Sequence, residues 1–222
     1  MNFKIKSIIS LTVAVLMILQ MIPAFSAEEY ELNITFNDVE TNQVEIENLT
    51  ISGGKASVAV TSSKNKGLFL QKDISETSVI AQGISDSSTD VVYSVDVMGN
   101  DKGVNLSFGT CASTTAASAR DIKFFEIKNN VIFTPDGKKI GSVGKNGFKT
   151  ISVISKKAMV CDYYINDTKI LSDWSLSSTT MGDYVAVRQP VNNSCYIDNL
   201  RCYKGSRIDK SIKEAVFIND RV

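Results

Sequence analysis

The stretch Cys195-Tyr196-Ile197-Asp198-Asn199-Leu200-Arg201-Cys202-Tyr203, followed by Lys204-Gly205, decides the predicted fold of this 222-residue chain. Aromatic and β-branched residues dominate it and a glycine closes it, a composition typical of one extended strand. A single acidic residue, Asp198, lies near its middle. The stretch therefore predicts a β-strand late in the chain, and the rest of the sequence can be examined for partners of that strand.

Other short strands with turn residues between them precede this one. Asp90–Met98 alternates most clearly and places Val91, Tyr93, Val95 and Val97 on one face. Tyr30–Phe36 alternates in the same way and predicts a first strand with one solvent-facing side.

Turn signals divide the rest of the chain. Val44–Ile51 and Lys55–Thr61 flank Gly53-Gly54, which predicts a hairpin. Asn166–Lys169 predicts another turn, and Ser172–Gly182 is interpreted as a polar loop.

About a dozen such strands, with turn signals roughly every 8 to 12 residues, favour an all-β protein. We therefore predict a two-sheet antiparallel β-sandwich, and the length favours the jelly-roll type over the immunoglobulin type.

Residues 1–26 differ from the rest of the chain. Lys4 and Lys6 precede the apolar run Ile8–Ile22, and small residues follow it, a pattern typical of a secretory signal peptide. Export to the outside of the cell or to its surface is therefore expected, with no membrane span after cleavage. The alternative is an uncleaved membrane anchor, for which the apolar run is short. The predicted domains are this leader, a sandwich over 27–205 and a tail over 206–222 that forms an extra strand or a linker.

Composition limits the classes of partner. Hydrophobic residues make up 43% and charged residues 22%, which argues against disorder and against a coiled coil. Without the leader, 22 basic residues face 24 acidic ones, a net charge of −2. No basic cluster indicates nucleic acid or a membrane surface as a partner. The lysine-rich leader and the many Asn and Lys residues favour a bacterial origin.

The exported part contains four cysteines, Cys111, Cys161, Cys195 and Cys202. In one regular strand, Cys195 and Cys202 would face opposite sides about 23 Å apart, so they should not pair with each other. Each could pair with Cys111 or Cys161, or all four could be thiols. The chain has no histidine, and no Cys-x-x-Cys pattern indicates zinc.

Two motifs resemble a known superfamily. Tyr196–Tyr203 is similar to the closing strand of many secreted carbohydrate-binding sandwiches. Tyr164–Ile170 resembles a hairpin of laminin-G-like and pentraxin-like domains, with Asp167 in place of the usual turn glycine. The chain thus resembles the concanavalin A-like lectin and glucanase superfamily of jelly rolls, or a related carbohydrate-binding module.

The resemblance implies a structural calcium ion where the first and last strands lie side by side. Asp38 or Glu40, after the first strand, and Asp198, in the last, match the carboxylate positions. Calcium takes 6 to 8 oxygen ligands, so carbonyl groups and water would complete the site. The alternative is that Asp38 and Glu40 are solvated turn residues and that Asp198 bonds to the backbone.

The resemblance also implies a carbohydrate site, in which aromatic rings stack on sugar rings while amide, carboxylate and guanidinium groups hold the hydroxyls. Trp174 is the candidate ring, unless it covers the core instead. Tyr184, Arg188, Asn192 and Asn193 are the candidate companions.

Catalysis is not expected. The glucanases of this superfamily carry a Glu-x-Asp-x-(x)-Glu strand that sets an acid and a nucleophile on one face. Neither Asp90–Asp96 nor Asp121–Glu126 matches it, and the absence of histidine excludes Ser-His-Asp and Cys-His mechanisms.

The sequence favours a secreted, non-catalytic module that binds carbohydrate or a cell-surface protein. The alternatives are a glycan-cleaving enzyme of the same fold, namely a glycoside hydrolase or polysaccharide lyase, and a structural or adhesive domain without a small ligand.

Overall fold

A computed structural model describes residues 30–61, 64–84, 88–114, 121–157, 160–176 and 181–208. Within these ranges the chain forms fifteen β-strands and no α-helix. The strands are β1 Tyr30–Ile34, β2 Leu49–Gly53, β3 Ala56–Val60, β4 Lys66–Leu70, β5 Thr77–Gln82, β6 Val91–Met98, β7 Leu106–Cys111, β8 Ile122–Lys128, β9 Val131–Phe133, β10 Lys139–Ser142, β11 Lys149–Lys156, β12 Val160–Ile165, β13 Thr168–Ser175, β14 Tyr184–Gln189 and β15 Cys195–Lys204. The predicted leader and residues 209–222 of the predicted tail lie outside the described residues.

The strands form two antiparallel sheets, which confirms the predicted fold class. The larger sheet has eight strands in the order β13-β12-β11-β6-β15-β4-β3, with β1 also paired to β15. The smaller sheet has seven, in the order β10-β9-β8-β7-β14-β5-β2. The first and last strands lie side by side, with Ile34 opposite Leu200 and Asn33 opposite Arg201. None of the described segments forms a helix with the length and apolarity needed to cross a membrane.

The core lies between the sheets and is formed by alternate residues of their strands. Val91, Tyr93, Val95 and Val97 of β6 all belong to it, as their alternation predicts. The hydroxyl of Tyr93 donates to the carbonyl of Ile84 at 2.8 Å, which satisfies its polar end inside the core. Burying each large apolar side chain contributes about 1.5–3 kcal/mol, so the alternation of these strands stabilises the sandwich.

The strand β15 is central in the larger sheet, but it is not regular. Its pairing with β6 shifts between Asp198 and Arg201, where β15 carries one extra residue. Asn199 there has the left-handed φ of 47°, as in a β-bulge. The bulge reverses the alternation, so that Cys195 and Cys202 both join the core.

The prediction that Cys195 and Cys202 face opposite sides is therefore wrong. The prediction assumed a regular strand, in which two residues seven positions apart point to opposite faces. The extra residue of the bulge brings Cys202 back to the face of Cys195. Cys111, Cys161, Cys195 and Cys202 are all buried, and each is a free thiol in the structure.

The predicted hairpin around Gly53-Gly54 is wrong. β2 pairs with β5 in the smaller sheet, whereas β3 pairs with β4 in the larger one. The two glycines form a crossover between sheets that passes close to β5, because a Cβ on Gly53 would lie 2.0 Å from the carbonyl oxygen of Glu76. Strand alternation does not reveal whether consecutive strands pair with each other or cross between layers.

The predicted turn at Asn166-Asp167 is confirmed, and it joins β12 to β13. Both residues are left-handed, with φ of 47° and 66°, so Asp167 takes the place of the usual glycine in a turn of type I′. The predicted polar loop over Ser172–Gly182 is wrong in its first part, because β13 continues to Ser175.

Candidate functional site

The structure brings together two of the residues predicted to bind carbohydrate. Tyr184 and Arg188 lie on β14 with their side chains on the outer face of the smaller sheet, because Val185 and Val187 between them face the core. Trp174 lies on β13, partly buried against the core, at the edge of the other sheet. Asn192 lies in the turn after β14, where its backbone N–H donates to the carbonyl of Asp73.

Asn193 is a structural residue in this arrangement. Its side-chain oxygen accepts from the backbone N–H of Asn105 at 3.1 Å, and its side-chain nitrogen donates to the carbonyl of Gly103 at 3.0 Å. These bonds fix the turn after β14 to the start of β7.

A groove runs along the outer face of the smaller sheet beside Arg188. Small residues form its floor, with Ala186 opposite Gly109 and Arg188 opposite Ser107. Two adjoining cavities of about 310 and 340 Å³ occupy it, and both are bordered by Glu76, Ser107, Lys123 and Arg188. We refer to these cavities together as the smaller-sheet groove.

Gly109 keeps the floor of this groove low. A Cβ at this position would lie 1.8 Å from the carbonyl oxygen of Ile122, so no other residue fits without moving β8. The register of β7 and β8 shifts at this point, between Phe108 and Gly109.

The guanidinium of Arg188 is held in place by three neighbours. One nitrogen lies 2.8 Å from a carboxylate oxygen of Asp121, and the other donates to the hydroxyl of Ser78 at 2.8 Å. The carboxylate of Glu76 lies 3.8 Å away. Only 12% of the Arg188 side chain is exposed, so its charged donors are fixed at the groove wall.

A second charged group lines the groove on β8. Glu126 forms ion pairs with Lys123 and Lys128. Burial alone would raise the pKa of Glu126, but hydrogen bonds from the two lysines outweigh it and lower that pKa. A glycosidase acid needs a raised pKa, so Glu126 is not tuned for that role.

Tyr184 lies on the same face of β14 as Ala186 and Arg188 but does not border the two cavities of the groove. It is partly buried and packs against Ile80, Cys111 and Ala186. Along β14, the path from Tyr184 to Pro190 spans about 20 Å at 3.3 Å per residue. The groove thus offers a floor of small residues and charged groups of both signs.

The three predicted calcium ligands, Asp38, Glu40 and Asp198, differ in their exposure to solvent. Asp38 and Glu40 are exposed in the turn after β1, whereas Asp198 is only 4% exposed. One oxygen of Asp198 accepts from the backbone N–H groups of Phe36 and Asn199, at 3.2 and 2.8 Å. Asp198 therefore fixes the backbone between the first strand and the last.

Asp198 also faces a second buried carboxylate, Asp96 of β6. Asn199 donates to one oxygen of Asp96 at 2.8 Å, and no described residue hydrogen-bonds to the other oxygen. Burial, with a smaller contribution from the charge of Asp96, raises the pKa of Asp198 to about 7. In the described part of the chain, no group of three or more acidic or cysteine side chains could hold a metal, so the calcium site stays a prediction.

Sequence reasoning missed Glu76, Ser107, Asp121 and Lys123 as groove residues, and it missed Ser78 as a partner of Arg188. Tyr184, Ala186 and Arg188 share one face of β14, and the small Ala186 lies between the two larger side chains. This pattern indicates a shallow depression on that face of the strand. The partners of Arg188 are 67 and 110 residues away in the chain, and no local pattern connects them.

No protein-family model matches the chain, and no curated protein matches it. Solved structures match at low identity. The globular domain of T. cruzi calreticulin is 10% identical with a TM-score of 0.54, over 87% of this chain and 93% of that one. A sialidase is 10% identical with a TM-score of 0.58, over 81% of this chain and 19% of the sialidase.

A structure of botulinum neurotoxin type C is also similar. It is 10% identical with a TM-score of 0.52, over 87% of this chain and 51% of the toxin chain. Cell entry of that toxin depends on interaction with two ganglioside molecules. The present chain thus spans a fifth of the sialidase chain and half of the toxin chain, and these likenesses establish the sandwich fold alone.

Proposed function

We propose that this chain is an exported, non-catalytic module that binds carbohydrate in the smaller-sheet groove. The observation that carries the proposal is the fixed guanidinium of Arg188, which borders a floor of small residues between the carboxylates of Asp121 and Glu76. The ganglioside dependence of the toxin neighbour supports a glycan ligand at the level of the fold.

The groove chemistry suits sugar hydroxyls. Each hydroxyl is both a donor and an acceptor, so a site that recognises it needs fixed groups of both kinds. Arg188 and Lys123 supply donors, and Asp121 and Glu76 supply acceptors. Since positive and negative groups are balanced here, the ligand favoured is a neutral glycan.

The shape of the groove supports an extended ligand. The two cavities share Glu76, Ser107, Lys123 and Arg188 and so adjoin beside β14, and the partly exposed Tyr184 lies on the same face of that strand. A chain of several sugar rings would lie over Ser107, Gly109 and Ala186 and reach toward Pro190. Export remains a proposal based on residues 1–26, and the absence of catalysis is a proposal supported by the ion pairs of Asp121 and Glu126.

Blocking the groove tests the proposal. The purified protein would be screened on an array of neutral glycans, and the best ligand titrated by calorimetry. Ser107→Leu places a bulky side chain on the floor that the two cavities share, so binding should be lost. Ser175→Leu, at an exposed position on β13, is the matched control and should bind as the original protein does.

Arg188→Lys gives a graded test at the same site. Lysine retains the charge but loses the planar fork, so affinity should fall about tenfold. Unchanged binding by Ser107→Leu would place the site elsewhere, and no binding to any glycan would favour the structural or adhesive alternative. Release of reducing sugar from a polysaccharide would instead support the enzyme alternative.

A further inference from the structure

A cavity of about 600 Å³ lies on the larger sheet and shares no lining residue with the smaller-sheet groove. We call it the aromatic cavity. Its lining includes Phe69, Met98, Asn100, Lys102, Lys145 and Tyr196. We propose that the aromatic cavity is a second carbohydrate site, and that it takes a sugar ring bearing a carboxylate.

Three neighbouring strands build the floor of this cavity. Tyr196 of β15 lies opposite Phe69 of β4 on one side and Met98 of β6 on the other. All three face outward, because the residues that alternate with them belong to the core. The rings of Phe69 and Tyr196 have centroids 4.7 Å apart, and both residues are partly exposed. Such a surface offers an apolar face to a sugar ring.

The walls of the cavity are fixed before any ligand binds. The side chain of Asn100 donates to the carbonyl of Ser194 at 2.6 Å and accepts from the backbone N–H of Lys102 at 2.9 Å. The backbone N–H of Gly99 donates to the carbonyl of Gly144 at 2.8 Å. Three loops, around residues 100, 145 and 194, are thereby tied together, which lowers the entropic cost of binding.

The charges at the rim select the class of sugar. Lys102 and Lys145 face a single carboxylate, Asp101, which lies 2.7 Å from the amine of Lys145. The Lys145 and Asp101 side chains are 60% and 78% exposed, so their ion pair contributes little, and a ligand carboxylate can compete for the lysine. The net positive rim therefore favours an acidic sugar, in contrast to the balanced charges of the groove.

The test uses pairs of sugars that differ only in the carboxylate. Methyl glucuronide and methyl glucoside, and the corresponding galacturonide and galactoside, would be titrated into the full protein at low salt. We expect each uronide to bind more tightly than its neutral partner. We also expect the uronide affinity to fall as salt screens the lysines.

Four variants then assign the binding to this cavity. Lys102→Gln should weaken uronide binding about 1.5- to 5-fold, and Asp101→Asn should strengthen it, because it removes the competing carboxylate. Tyr196→Leu should weaken it about fivefold or more. Lys139→Gln, at an exposed position outside the cavity lining, should leave it unchanged.

Two kinds of result would overturn the proposal. Equal affinity for uronides and neutral glycosides, or no uronide binding, would contradict the class of ligand. Uronide binding that is unaffected by Tyr196→Leu, Lys102→Gln and Asp101→Asn would contradict the location. Because Lys102 and Asp101 are exposed, their two variants remain informative even if Tyr196→Leu does not fold.

Discussion

Replacing Asp198 by Asn should stabilise the protein and remove most of its pH dependence between pH 5 and 8. Asp198 is buried opposite Asp96, and its pKa is raised to about 7. An asparagine retains the oxygen that accepts from Phe36 and Asn199. Asp96, opposite it on β6, has one oxygen without a partner among the described residues, and the new amide adds a donor without adding a second negative charge.

The magnitude follows from proton linkage. In the unfolded chain an aspartate titrates near 3.9, so a folded pKa of about 7 means that the folded state holds its proton more tightly. The stability due to this proton is complete below about pH 4 and is lost as the pH rises through about 7. Ionisation of Asp198 in the folded state lowers the free energy of unfolding by about 4 kcal/mol in total, and about 2.5 kcal/mol of this loss occurs between pH 5 and 8.

The other carboxylates with altered pKa values, Asp162 and Glu126, do not change the stability between pH 5 and 8. Burial opposes the ionisation of Asp162, but hydrogen bonds from Lys156 and Lys169 lower its pKa, and the pKa of Glu126 is also lowered. Stability that depends on these two groups is present above their unfolded pKa values, near 4, and is lost only at lower pH.

Urea unfolding at a series of pH values between 5 and 8 measures the effect. The free energy of unfolding of the original protein should fall as the pH rises, whereas that of Asp198→Asn should stay nearly level. Asp183→Asn, at an exposed position, is the control and should follow the original protein. Identical pH profiles for the original protein and Asp198→Asn would show that Asp198 does not titrate between pH 5 and 8.

Three further predictions concern calcium, the thiols and the loops. If calcium binds through Asp198, a hundredfold excess over the Kd should raise the melting midpoint by about 5–10 °C, and chelator or Asp198→Ala should abolish that rise. The four buried cysteines should react with a thiol reagent only on unfolding, and burial also raises the pKa values of Cys111, Cys161 and Cys195, that of Cys161 to about 12. A mass four units lower without reductant would indicate two disulfides instead. Asn130→Ala should cost about 1–3 kcal/mol more in urea unfolding than Asn129→Ala, because both residues are left-handed but only the Asn130 side chain bonds to Val104 and Asn100. Equal costs for these two variants would contradict that account.

Long-range pairing explains where sequence reasoning failed. The Gly53-Gly54 crossover resembles a hairpin locally, and only the partners β5 and β4 distinguish the two. The bulge at Asn199 changes the faces of Cys195 and Cys202, although the stretch has the composition of a regular strand. Asparagine tolerates the left-handed conformation, but it occurs in many other settings.

Only the relation between Tyr184 and Arg188 could be predicted from a single strand. Tyr184 and Arg188 are four residues apart, so their side chains share a face in any regular strand. This relation can be predicted without knowing the tertiary structure. Trp174 was predicted as a sugar contact from its residue type, and the structure places it partly buried against the core. The aromatic cavity was missed because Phe69 and Tyr196 lie far apart in the chain and meet only through the pairing of β4 with β15.

The all-β class, the core face of β6 and the importance of β15 can be predicted from local sequence, because alternating apolar residues are buried on one face in any sandwich. Which strands share a sheet, and which side chains line a groove or a cavity, follows only from the assembled fold. The burial of Asp198 opposite Asp96 also follows only from the fold. Those features depend on pairings between distant segments, and the free energy that selects such pairings comes from the assembled core rather than from any single stretch.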